Sequence, residues 1–127
     1  MSSFSKRVVR DSADVDLALT GVVDAGVSYE EMVFSPSTFK DSPTTGKLTA
    51  VFHSIESGLR LFLYWEHDDD DTLIMPLEGR GILDLTRFGG LENPRLPGFT
   101  GAIILRAVND SGGVRHFAIS LEISKQR

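Results

Sequence analysis

Apolar and polar positions alternate most cleanly near the C-terminus, where Phe117, Ile119, Leu121 and Ile123 are separated by Ala118, Ser120 and Glu122. Only a period of two places these sets on opposite faces, so the segment predicts a half-buried β-strand. Val15, Leu17 and Leu19 repeat the pattern against Asp14, Asp16 and Ala18. Leu48, Ala50 and Phe52 alternate with Thr49, Val51 and His53, and Leu59, Leu61, Leu63 and Trp65 with Arg60, Phe62 and Tyr64. Further strands are predicted over 72–77, 82–86, 102–108 and 114–123. Residues 21–34 read as extended from their β-branched and aromatic content.

The punctuation between these runs supports the same class. Pro36, Pro43 and Gly46 make 35–46 a loop. Ile55-Glu56-Ser57-Gly58 and Asn109-Asp110-Ser111-Gly112-Gly113 read as hairpin connections, and Glu78-Gly79-Arg80-Gly81 as a turn. Residues 87–98 hold Gly89, Gly90, Pro94 and Pro97, which argue against regular structure. Yet Phe88, Leu91 and Leu96 are too apolar for an idle solvent loop. No amphipathic helix is evident. The expectation is an all-β fold, a single-domain β-sandwich or jelly roll of about seven to eight mostly antiparallel strands. That domain spans 14–127, preceded by a flexible N-terminal arm over 1–13 with Ser2, Ser3, Ser5, Lys6, Arg7 and Arg10.

Composition narrows the chemistry. With no cysteine, a disulfide scaffold, a thiolate zinc site and a cysteine nucleophile are excluded. The first residues lack the apolar core of a signal peptide, and no apolar run approaches the roughly twenty residues that span a bilayer. A soluble product made in the cytoplasm, with no membrane partner, is expected. The net charge of -5 argues against nucleic acid as the main partner.

His67-Asp68-Asp69-Asp70-Asp71 offers oxygens for calcium, but an EF-hand loop from Asp68 would need glycine where Leu73 stands and glutamate where Gly79 stands. A looser calcium site competes with a solvated hairpin tip. His53, His67 and His116 lie in separate segments and match no local zinc spacing, although His53 and His116 could meet across neighbouring strands. No nucleophile elbow, Walker loop or dinucleotide fingerprint is present. No enzyme and no cofactor are expected. Phe62 and Tyr64 share a strand face opposite Trp65; they form core if that face is covered and a binding platform if it is open. Arg80, Arg87 and Arg95 with Phe88, Leu91 and Leu96 carry the Arg and aromatic character of interface cores.

From residue 76 onward, Pro76-Leu77-Glu78-Gly79-Arg80-Gly81, Phe88-Gly89-Gly90-Leu91-Glu92-Asn93-Pro94, Gly98 and Gly101-Ala102-Ile103-Ile104-Leu105 follow in order. This stretch resembles small β-structured virion proteins of tailed bacteriophages, some of which are capsid decoration, or cement, proteins. The resemblance implies a non-enzymatic structural protein on the capsid surface, partnered by the major coat protein and by copies of itself. The candidate contacts are Arg7, Arg10, Arg80, Arg87, Phe88, Leu91, Arg95 and Leu96. Alternatives are a neck, tail or fibre component, or a carbohydrate-binding module using Phe62, Tyr64 and the acidic loop on a glycan.

Overall fold

The alternating segments become ten strands in a computed structural model of the chain, which describes residues 2–41 and 43–126. Met1, Ser42 and Arg127, in the expected arm, the 35–46 loop and the domain's end, lie outside the described residues. The strands are β1 (Ser3–Asp11), β2 (Asp14–Val23), β3 (Ser28–Phe34), β4 (Thr45–Ile55) and β5 (Leu59–His67). After them come β6 (Thr72–Leu77), β7 (Arg80–Asp84), β8 (Leu91–Glu92), β9 (Phe99–Asn109) and β10 (Arg115–Gln126). Single 3-10 turns cover Pro36–Thr38 and Thr86–Phe88.

The larger sheet has the order β1-β2-β10-β4-β7, with β8 also pairing β4, and the smaller has β3-β9-β5-β6. Every pairing is antiparallel. Without β1 and β8, four strands remain in each sheet and successive strands switch layers except at the β5–β6 hairpin, the arrangement of a jelly roll. Inward-facing Leu17, Leu19, Leu121 and Ile123 of the larger sheet pack on Leu61, Leu63, Ile103 and Leu105 of the smaller. Each such side chain is essentially inaccessible, and burying it contributes about 1.5–3 kcal/mol.

The pairing corrects several expectations. Residues 3–11 are no free arm: they form β1 against β2, because the turn at Ser12-Ala13 brings their backbone groups into register with that strand. With β8 this raises the strand number above seven or eight. The 55–58 and 109–113 connections are not hairpins, since β4 and β10 belong to the larger sheet while β5 and β9 belong to the smaller. A short glycine turn permits either route. Asn109 secures the second crossing: its buried amide nitrogen lies 2.8 Å from the Val23 carbonyl, 3.1 Å from that of Asp24 and 2.9 Å from that of Gly113. Its oxygen accepts from the Ser111 amide and hydroxyl at 3.0 and 2.6 Å.

Finally, the 87–98 loop contains part of a 3-10 turn and the two-residue β8, where Leu91 pairs Leu48 and packs on the core. Leu48, Ala50 and Phe52 do not share a face either. The register between β10 and β4 shifts between Glu122 and Ile123, inserting Thr49 as a bulge. Leu48 and Val51 both point inward, and Phe52 is turned out.

Candidate functional site

Alternation beyond the bulge decides what the outer face of the larger sheet presents. Ala18, Ser120, Phe52 and Ile82 stand opposite one another across β2, β10, β4 and β7. The adjoining row is Thr20, Ala118, Ser54 and Arg80. The small side chains form a floor from which Phe52 rises, 40% exposed, beside Ile82, 70% exposed. The result is an open depression of about 540 Å³ lined by Phe52, Ser54, Arg80, Ile82, Ala118 and Ser120. Four residues after β7, Phe88 is 80% exposed at the end of its 3-10 turn.

That turn is set by polar contacts of Asp84. Thr86 donates to Asp84 Oδ1 from its amide at 3.0 Å and its hydroxyl at 2.5 Å. The Thr86 hydroxyl and amide hold the Asp84 carboxyl below the usual carboxylate range, and Arg87 adds to the effect. Gly89 closes the turn with φ of 76°, a left-handed conformation that suits glycine. Phe88 is thereby presented outward and Leu91 returned to the core.

The eight residues expected to make contacts do not form one patch. Arg80 borders the depression, and Arg87 and Phe88 occupy the following turn. Leu91 is half-buried against the core. Arg95 and Leu96 lie on the return loop beside Thr44, Thr45 and Phe99. Arg7 and Arg10 sit on β1 at the far edge, about 19 Å away at the usual strand spacing. Arg10 is bound to Asp16 at 2.9 Å. Phe52 and Ile82, the most prominent apolar groups of the large face, were missing from the expected set. The bulge hides Phe52, whose spacing from Leu48 suggests an inward position; Ile82 carried a signal as the apolar centre of a short strand flanked by charge.

The other candidates resolve individually. His67 donates from Nε2 to the Pro97 carbonyl at 3.1 Å, while its Nδ1 accepts from the Asp69 amide at 3.0 Å. Asp71 accepts from the His67 amide at 3.0 Å. The acidic run is therefore a self-bonded hairpin tip, and among the described residues no three His, Asp or Glu side chains converge as metal ligands. His53 faces inward with Val51 and Ile55 and donates from Nδ1 to the Gly79 carbonyl at 3.1 Å. His116 faces outward and pairs with Glu56 at 2.6 Å, so the two imidazoles lie on opposite faces of the sheet. The His116 hydrogen bond lowers the Glu56 carboxyl from its ordinary value.

Phe62 and Tyr64 are half-buried on the outer face of the smaller sheet, with the Arg60 guanidinium 5.9 Å from the Phe62 ring centre. Cross-strand register places Tyr64 in a row with Met32, Ile104 and Leu73. The face is thus open, not covered as core.

No protein-family model matches the chain, and no curated protein matches it. Among solved structures, it is similar to Peruvianin-I, a cysteine peptidase from Thevetia peruviana latex, at 12% identity and a TM-score of 0.42. That likeness covers 98% of this chain and 63% of the peptidase, so the chain spans less than two thirds of its length. The plu4264 protein from Photorhabdus luminescens is similar at 8% identity and a TM-score of 0.37, over 93% of this chain and 72% of that one. Likenesses at this level bear on neither activity nor partner. Among the described residues no helix is long and apolar enough to cross a membrane.

Proposed function

We propose that this chain is a virion structural protein of the capsid decoration type, acting through surface contact and not through an active site. The observation that carries the reading is the exposure of Phe52, Ile82 and Phe88 on and beside β7, with Arg80 and Arg87 among them. Aromatic, aliphatic and Arg side chains together are what interface cores prefer. The partner class, a coat subunit, comes from the resemblance of residues 76–105 to phage virion proteins. Covering the two rings removes apolar area from water, while the Arg87 guanidinium pairs with a coat carboxylate. Many copies on a symmetric shell turn modest single contacts into firm attachment.

The test is size fractionation of the native source with quantitative mass spectrometry. A fixed copy ratio to a major coat protein in the large-particle fraction supports the proposal. Recovery solely as free protein overturns it. A glycan-binding reading draws on the open face carrying Phe62 and Tyr64; binding on a glycan array that is lost in Tyr64→Ala would favour it instead.

A further inference from the structure

We infer that the free edge of β7 pairs antiparallel with β7 of a second copy, joining two large sheets across a two-fold axis at Ile82. β7 has β4 on one side and, among the described residues, no strand on the other. Two backbone bonds define its orientation: Leu85 donates to the Thr49 carbonyl and Ile55 to the Gly79 carbonyl, both at 2.9 Å. Odd-numbered residues of β7 therefore face β4, and the N–H and C=O groups of Arg80, Ile82 and Asp84 face away. Those are the groups a further strand would use.

The side chains then select the strand. When RGILD pairs antiparallel with itself about Ile82, Arg80 stands opposite Asp84 of the second copy and Asp84 opposite its Arg80. Ile82 meets Ile82 on the outer face, and Leu83 faces the side-chain-free Gly81 on the inner face. Both charge pairs are attractive, which cross-strand neighbours reward and like charges penalise. Arg80 has no hydrogen-bond or ion-pair partner among the described residues, so its charge is available.

The remaining edges lack this fit. β1 carries Lys6, Arg7 and Arg10 and a register shift between Val8 and Arg10. β3 carries Glu30 and Glu31 and a shift between Met32 and Phe34. β6 contains Pro76, and its pairing with β5 shifts between Leu63 and Tyr64. Such bulges, prolines and like charges are how edges are kept from pairing. The register of β7 with β4 is unbroken.

A five-residue edge makes a small interface, so the dimer is a weak one, with Kd between about 10 μM and 1 mM. The inference goes beyond the capsid reading and does not depend on it, because the pairing belongs to the isolated protein. It leaves the outer faces open and extends the apolar row to Phe52, Ile82 and their counterparts in the second copy.

Amide hydrogen exchange of the wild-type chain at rising concentration tests it without any substitution. Exchange at Ile82 and Asp84 should slow as concentration rises, while that at Val8 and Val9 stays constant. Sedimentation equilibrium of Arg80→Glu and Asp84→Arg supplies the second arm. Each variant alone should associate at least about tenfold more weakly, since each sets like charges opposite one another. An equimolar mixture of the two should associate again as wild type, because both cross-strand pairs become attractive. A wild-type chain that is monomeric at about 1 mM overturns the inference. So does concentration-independent exchange at Ile82, or a mixture no tighter than its components.

Discussion

At one edge of the larger sheet β1 runs for nine residues with three cations and a bulge, while at the other β7 runs for five with an unbroken register. The backbone groups on offer are the same, so the contrast lies in the side chains. Most charges of β1 are spent inside the molecule: Arg10 binds Asp16, Lys6 donates to the Val33 carbonyl, and Asp11 accepts from Lys125 and from the Lys40 amide, which leaves Arg7 without a partner among the described residues. Those of β7 are not, apart from the Asp84 contacts to Thr86. One edge is bulged and largely tied down by its own fold, and the other offers opposite charges at Arg80 and Asp84, an exposed isoleucine and three pairs of outward backbone groups. An edge strand's role is therefore read from what its charges already touch, not from its length.

The largest expected effect would erase the contrast by loosening both edges together. Leu121→Ala empties a fully buried site on the central strand β10 and should cost about 2–5 kcal/mol in urea denaturation. Amide exchange in β1 and β7 should rise alike; a rise in one alone would show that the edges are not coupled through the core. Next, Asn109→Ala leaves the Val23, Asp24 and Gly113 carbonyls without their shared donor and should cost about 1–3 kcal/mol. A loss below a few tenths would place the hold on the β9–β10 crossing elsewhere.

Proline sharpens the comparison most directly. At Ile82 it removes an outward N–H that β4 does not use, so Tm should change little while self-association weakens by about tenfold. Val9→Pro, at the bulge of β1, should leave self-association unchanged by sedimentation. Equal effects at the two positions would end the distinction between the edges. Smaller still is a pH effect at β1. The Lys125 hydrogen bond, helped by the Lys40 amide, holds the Asp11 carboxyl below its ordinary value. The stability this supplies is present above the ordinary carboxylate range and disappears as pH falls through the lowered value. Asp11→Asn should therefore lose stability near neutral pH but show a shallower decline on acidification, measured by urea midpoints at about pH 7 and about pH 3.

Much of this was legible in advance for a physical reason. A strand repeats every two residues, so Leu17, Leu19, Leu61, Leu63, Ile119 and Leu121 announced both their conformation and their inward face. Phe52 did not, because a bulge at Thr49 changes the phase without changing composition. The turn at 55–58 did not either, since the same glycine turn serves a hairpin or a crossing between sheets. Of the candidate contacts, Arg80, Arg87 and Phe88 fall in the β7 region, and Arg7 and Arg10 at the opposite edge.

From its side-chain pattern alone, the chain determined that it would be all strand, where most strands would lie and which residues would fill the core. Tertiary structure decided which strands became neighbours and which were left as edges. Side chains differ along the chain and mark faces, but strands join through backbone N–H and C=O groups that are the same at nearly every residue. Pairing partners are therefore absent from the local pattern and appear only when the whole core closes.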